Sequence, residues 1–152
     1  MDLKKIGNQR VVTVLADTPL EDAARLMREN HVGDVVVVKS KNGKAVPIGI
    51  LTDRDIVMAT IALGAPVSPL TAGDLMTTEL VTIQEGESLN QLIDLMKKRG
   101  VKRVPLVGKD HELVGIIALE DVMNLLAGEL SALAEVANRQ KQVELHRRQK
   151  LA

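Results

Sequence analysis

Gly49-Ile50-Leu51-Thr52-Asp53-Arg54-Asp55 returns, altered, as Gly115-Ile116-Ile117-Ala118-Leu119-Glu120-Asp121, and the interval of 66 between the two stretches decides how this chain is read. Towards the N-terminus the interval becomes 69. Val12-Thr13-Val14 then falls on Val81-Thr82-Ile83, Leu20 on Leu89, Leu26-Met27 on Leu95-Met96, Val32 on Val101, Val35 on Val104 and Val38 on Val107. Most matched positions are apolar, and the change of interval is a loop that is shorter in the second copy. Residues 12–59 and 81–125 are one pattern written twice, which predicts two similar half-modules.

Each half, at about 60 residues, is marginal as an independent domain. The chain as a whole, 152 residues and 45% hydrophobic, can build one core from both copies without disulfides or metals. That predicts a pair packed about a pseudo-two-fold axis. There is no Phe, Tyr, Trp or Cys, so the core must be Val, Leu, Ile, Met and Ala. The missing aromatics remove the stacking platform of single-strand nucleic-acid binding, and any purine pocket must be aliphatic. Lys plus Arg equals Asp plus Glu, 20 against 20, so no global field draws the chain to nucleic acid or to an anionic membrane. Neither is expected as a partner. The N-terminus carries no long apolar run of the signal-peptide kind and no stretch approaches 18 apolar residues, so a soluble, cytoplasmic protein is the expectation.

Val11-Val12-Thr13-Val14 predicts a short strand. Thr18-Pro19-Leu20-Glu21 then predicts a helix with Thr18 as N-cap and Pro19 in the first helical position, with Leu20, Ala23, Ala24 and Met27 on one face. In the second copy Ser88 with Gln91 forms a capping-box pattern, displaced by one residue, ahead of Leu89, Leu92, Ile93, Leu95 and Met96. Strands follow at Asp34–Val38 and Val104–Val107, apolar on both faces as buried strands are. Asn42-Gly43 marks a hairpin turn, matched by 108–112 in the second copy. A third strand in each copy leads into a second helix, from Asp53 and from about Leu119. Gly64 to Pro69 reads as the linker, and Thr71 to Met76 as a short helical turn. From Leu126 the chain predicts a long helix with a contact seam at Leu126, Leu130, Leu133 and Ala137, fraying beyond Asn138.

Strand, helix, strand, strand, helix, written twice with a glycine-to-aspartate motif closing each third strand, resembles the cystathionine-β-synthase-type (CBS) domain pair, or Bateman module. Asp74-Leu75-Met76, Val81-Thr82-Ile83 and the run Val101 to Val107 add to the likeness, which covers roughly residues 4–128. It implies an α/β fold of tandem β-α-β-β-α repeats: residues 1–68, residues 69–128, and a C-terminal helical extension over 129–152. It further implies a regulatory, non-catalytic module, often dimeric, that binds adenosine-containing ligands in clefts between its halves. The family's hydroxyl and carboxylate contacts to ribose and phosphate correspond to Thr52 and Asp55. Copy two has Ala118 at the hydroxyl position and keeps Asp121. By the same likeness Thr13 and Val14, with Thr82 and Ile83, correspond to the base-binding edge. Lys102 and Arg103 reach a phosphate bound in the opposite half, while His31 and Asp34 make the related stretch of copy one poorer in positive charge.

The chemistry of these side chains points the same way. A carboxylate can accept hydrogen bonds from both ribose hydroxyls, and a helix start bearing Thr52, Asp53 and Arg54 offers amide donors and a cation to phosphate. The same residues also make an ordinary helix N-terminus, with Thr52 as cap and two aspartates complementing the helix dipole. Lys102-Arg103 also reads as a solvated turn. The histidines His31, His111 and His146 show no metal-ligand spacing. Asp53, Asp55, Glu120 and Asp121 could gather around a Mg2+ ion accompanying a nucleotide. No Walker or dinucleotide glycine loop is present, and no base positioned for hydrolysis is legible.

Two functions follow. The first is an adenine-nucleotide sensor that binds AMP, ADP, ATP or another adenosyl ligand, needs no other cofactor, and signals to an unidentified protein effector or to its own homodimer. The second is a dimeric scaffold that works through its terminal helix.

Overall fold

The computed structural model describes residues 2–151. It is a mixed α/β fold of two three-stranded sheets, ordered β1-β2-β3 and β4-β5-β6. A 3-10 turn at Leu3–Lys5 precedes β1 (Thr13–Val14), α1 (Leu20–Asn30), β2 (Asp34–Lys41), β3 (Lys44–Thr52) and α2 (Asp53–Ala59). The second copy follows as α3 (Ala72–Leu75), β4 (Ile83–Gln84), α4 (Leu89–Arg99), β5 (Arg103–Val107), β6 (Leu113–Ala118) and α5 (Leu119–Leu151). The chain divides into two units, one ending at Ile117 and one starting at Ala118.

The duplication holds to the residue. β1 lies parallel to β2 with Val14 opposite Val37, and β4 parallel to β5 with Ile83 opposite Leu106, the same pair displaced by the repeat interval. β2 and β3 are antiparallel and joined at Asn42-Gly43, whose φ angles of 51° and 74° are the two positive values a tight hairpin turn requires.

Both first helices run for 11 residues. The capping box expected at Ser88 forms: the Gln91 N–H donates to Ser88 Oγ (3.3 Å) and the Ser88 N–H to Gln91 Oε1 (2.8 Å). The cap expected at Thr18 does not. Pro19 is the N-cap residue of α1, and Thr18 Oγ1 instead accepts the Leu15 N–H at 3.1 Å. The cause is tertiary, because the Leu20 N–H donates to the Leu70 carbonyl and Pro19 forms a bridge with Thr71, which holds Pro19 extended. With that correction the two helices start at equivalent positions. Leu20, Ala23 and Met27 are buried, whereas Ala24, expected on the same face, is exposed. Each helix ends on a left-handed residue, His31 (φ 54°) and Gly100 (φ 65°).

Each repeat lends its leading segment to the other. Ala72 is fully buried in the core of the first repeat with Val14, Leu20, Met27, Val35 and Leu51, and Leu75 and Met76 pack against that core. The Thr77 N–H donates to the Ile50 carbonyl at 2.9 Å. In the reverse direction Asn8 and Ile116 exchange two backbone hydrogen bonds (2.9 and 3.0 Å), and Lys4 pairs with Glu85 at 2.7 Å. Glu85 holds the Lys4 ammonium above its usual range through a hydrogen bond and their opposite charge. The strand glycines Gly49 and Gly115 mark the crossings. A Cβ on Gly49 would sit 2.8 Å from the Thr77 carbonyl oxygen, and one on Gly115 would sit 3.3 Å from that of Asn8. Neither repeat completes its structure alone, which answers the small size of each half.

The helix expected from Leu126 and the second helix of copy two are one 33-residue element, α5. It continues to Leu151, where fraying beyond Asn138 was expected. No Gly or Pro follows Gly128, and the tail is rich in Gln, Lys, Arg and Glu, all good helix formers.

Candidate functional site

The turn from β3 into α2 is built by a reciprocal cap. Thr52 Oγ1 accepts the Asp55 N–H (3.1 Å), and Asp55 Oδ2 accepts the Thr52 N–H (2.9 Å). This fixes the hydroxyl and the carboxylate beside each other at the helix start, so the cap itself pre-organises two of the expected ligand contacts. At the matching point of copy two, the Ala118 N–H donates to Asp121 Oδ2 at 2.8 Å. The carboxylate half of the box is kept and the hydroxyl half is absent.

Beside Thr52 lies a cavity of about 270 Å³ lined by Ile50, Thr52, Thr77, Glu79, Leu80, Val81, Val101, Lys102 and Arg103. Both repeats contribute: Ile50 and Thr52 end the first repeat's third strand, while Lys102 and Arg103 enter the second repeat's β5. The aliphatic side chains supply the apolar wall that a chain without aromatics must use. Arg103 Nε is ion-paired to Asp34 Oδ2. Asp34 lies opposite Thr52 in the β2–β3 register, so this carboxylate stands at the rim of the same region.

Of the residues expected in the site, Thr52, Lys102 and Arg103 share this wall, and Asp55 stands behind it, bonded to Thr52. The others are placed elsewhere. Asp53 accepts the Arg54 N–H at 2.7 Å, donates its own N–H to the Gly33 carbonyl, and belongs to a separate open groove with Arg28 and His31. Arg54 is exposed and lines neither. Thr13 and Val14 form β1, with Val14 buried; Thr82 precedes β4, in which Ile83 is buried. None of these four residues belongs to the cavity wall. Asp121 caps α5.

Thr77, Glu79 and Leu80 were not anticipated. They belong to the leading segment that crosses to the first repeat, and the signal was Gly49, a strand-interior glycine of the kind that marks close approach by another backbone. Asp34 was seen only as a gap in positive charge, not as the partner of Arg103. Among the described residues no group of three or more His, Asp or Glu side chains could hold a metal ion, and no helix is long and apolar enough to cross a membrane.

The CBS domain family matches residues 3–61 and 72–128. The CBS domain-containing protein YhcV of Bacillus subtilis is 36% identical over 143 residues, covering 90% of this chain and 95% of that protein. An uncharacterized protein of Methanopyrus kandleri is 32% identical over 115 residues, 74% of this chain, which spans 57% of that protein's length. The crystal structure of the CBS domain pair of protein MJ0100, in complex with 5-methylthioadenosine and S-adenosyl-L-methionine, superposes with a TM-score of 0.72 at 26% identity. It covers 85% of this chain and 98% of that one.

Proposed function

The chain belongs to the CBS domain family, and from that membership we propose that it is a non-catalytic regulatory module that binds an adenosyl ligand in the cavity beside Thr52. The observation that carries this reading is that Thr52 from one repeat shares an aliphatic wall with Lys102 and Arg103 from the other, with the Asp55 carboxylate bonded directly to Thr52. The apolar side chains would take the base, Thr52 and Asp55 the ribose, and the cations an anionic group. The complexed adenosyl compounds of the MJ0100 pair support this ligand class. Because the wall is drawn from both repeats, a ligand would favour one relative arrangement of the two, and that population shift is the signal passed to a partner or to a second copy.

The test is thermal unfolding followed by far-ultraviolet circular dichroism, with AMP, ADP, ATP and S-adenosylmethionine added separately. A ligand at 100 times its dissociation constant should add about 2.7 kcal/mol. The expected result is a raised midpoint with one adenosyl compound, lost in Asp55→Ala. Unchanged midpoints with all four sink the reading.

One observation favours the scaffold function as well. Leu126, Leu130 and Leu133, spaced four and three apart along α5, are 47%, 70% and 67% exposed. A stripe at that spacing is the seam of a helix pair, and a second copy of α5 offers the same stripe. The module would then be a homodimer joined through α5.

A further inference from the structure

The fixed charges around the cavity limit which adenosyl ligand it can take, an argument that rests on the adenosyl reading above. Two cations belong to the wall, Lys102 and Arg103, and the second is already paired. Arg103 is paired with Asp34, whose side chain is only 12% exposed, and Glu79 is itself part of the wall. Asp34 and Glu79 against the two cations, with the Asp55 carboxylate bonded to Thr52 beside them, leave the cleft with no surplus of positive charge. A monophosphate, or an adenosyl group bearing a zwitterion, can be matched by one cation. A triphosphate would bring its further charges up to the Glu79 and Asp34 carboxylates, and like charges repel.

We infer that this site selects an adenosyl ligand without a polyphosphate chain, and that Asp34 and Glu79 are its specificity-determining residues: Asp34 by holding Arg103, Glu79 by facing the cavity directly. The two carboxylates act differently. Removing Asp34 frees a guanidinium for a second phosphate group, whereas removing Glu79 only lifts a repulsion. Glu79 is exposed, so its neutralisation leaves the fold intact.

The experiment is isothermal titration calorimetry of the full chain and of Asp34→Asn and Glu79→Gln with adenosine, AMP, ADP, ATP and S-adenosylmethionine, each without and with Mg2+. The expected result is that AMP or S-adenosylmethionine binds the wild type at least about tenfold more tightly than ATP. The gap narrows in both variants through a gain in ATP affinity, and Glu79→Gln reports even if Asp34→Asn folds poorly. ATP binding as tight as AMP in the wild type, or a gap unchanged in Glu79→Gln, overturns the selection while leaving the adenosyl reading standing. Binding of none of the five compounds overturns both.

Discussion

Asp34 and Arg103 occupy the same position in the two repeats, 69 residues apart, and form an ion pair with each other. Residues that are repeat mates and also touch must lie close to the axis relating the repeats, where identical residues would set like charges together. The duplication has therefore diverged where the copies meet. Lys44 and Asp110 add a second pair between the repeats, at 2.5 Å, joining the start of β3 to the shorter hairpin of the second copy. The divergence extends to the residues of the Thr52 cavity, since Thr52, Lys102 and Arg103 correspond in sequence to Ala118, Gly33 and Asp34.

Reversing the pair separates its structural role from its functional one. Asp34→Arg alone sets two guanidinium groups together at a position whose own side chain is only 12% exposed, and should cost more than the roughly 1 kcal/mol of a fully solvated pair. Adding Arg103→Asp should recover that loss in a thermal melt. The double variant nevertheless carries a carboxylate in the Thr52 cleft and should lose the ligand-induced rise in midpoint.

The two second-helix starts predict a contrast of the same kind. Asp55→Ala and Asp121→Ala each remove a carboxylate that accepts a backbone N–H at a helix start, a loss of about 1 kcal/mol in either repeat. Only the first should abolish the adenosyl-dependent stabilisation. Equal loss of that stabilisation in both variants would show two working clefts.

The left-handed helix ends differ in cost. A non-glycine residue in that conformation carries about 1–2 kcal/mol of strain, and glycine avoids it at an entropic cost of about 0.5–1. His31→Gly should therefore stabilise the fold by about 0.5–1 kcal/mol, and Gly100→Ala should destabilise it by a similar amount. Denaturant midpoints of the two variants, moving in opposite directions, are the check.

What was legible in the chain was what its neighbours in sequence determine. Asn42-Gly43, Ser88 with Gln91, and Thr52 with Asp55 are contacts across three residues or fewer, and each forms as its residue types predict. Thr18 misled because the competitor for that helix start, Leu70 with Thr71, lies some fifty residues away and overrides local capping preference. The candidate cavity divides in the same way. Thr52, Lys102 and Arg103 were marked by the likeness to the CBS pair, their residue types alone reading equally as a helix cap and a solvated turn, while Glu79 and Asp34 acquire their positions only from Thr77 meeting Ile50 and from repeat mates meeting each other. Those are pairings between distant segments, and no local pattern encodes them.

The Lys44 cluster fixes a pH dependence. Lys44 pairs with Asp110 at 2.5 Å and lies 3.4 Å from Glu112. A hydrogen bond from Lys44 holds Asp110 below the ordinary aspartate value of 3.8, and backbone N–H donors, with Lys44, hold Glu112 below 4.5. Lys44 itself is raised above 10.5, chiefly by its hydrogen bond to Asp110. Carboxylates depressed in the folded state contribute stability above their unfolded values and lose it as pH falls through the folded ones. A raised lysine keeps its contribution until pH climbs through its folded value. The melting-point difference between wild type and Lys44→Met should thus be flat from about pH 5 to 9 and shrink below pH 4. Added salt should also reduce it, because all three groups are solvated.

The α5 seam predicts an oligomeric state. Leu130 and Leu133 are largely exposed on a helix whose apolar stripe recurs at the spacing of a two-helix seam, and an isolated helix of this kind gains most of its stability from packing that face. Leu130→Glu with Leu133→Glu places four carboxylates across a symmetric seam. Sedimentation equilibrium should give a dimer for the wild type and a monomer for the double variant, with far-ultraviolet circular dichroism showing less helix in the variant. A wild type that sediments as a monomer removes the scaffold reading. A dimer that survives both substitutions assigns association to another surface. In either of those cases the adenosyl cleft, whose wall lies entirely between Ile50 and Arg103, would still have to be judged by its own ligand titration.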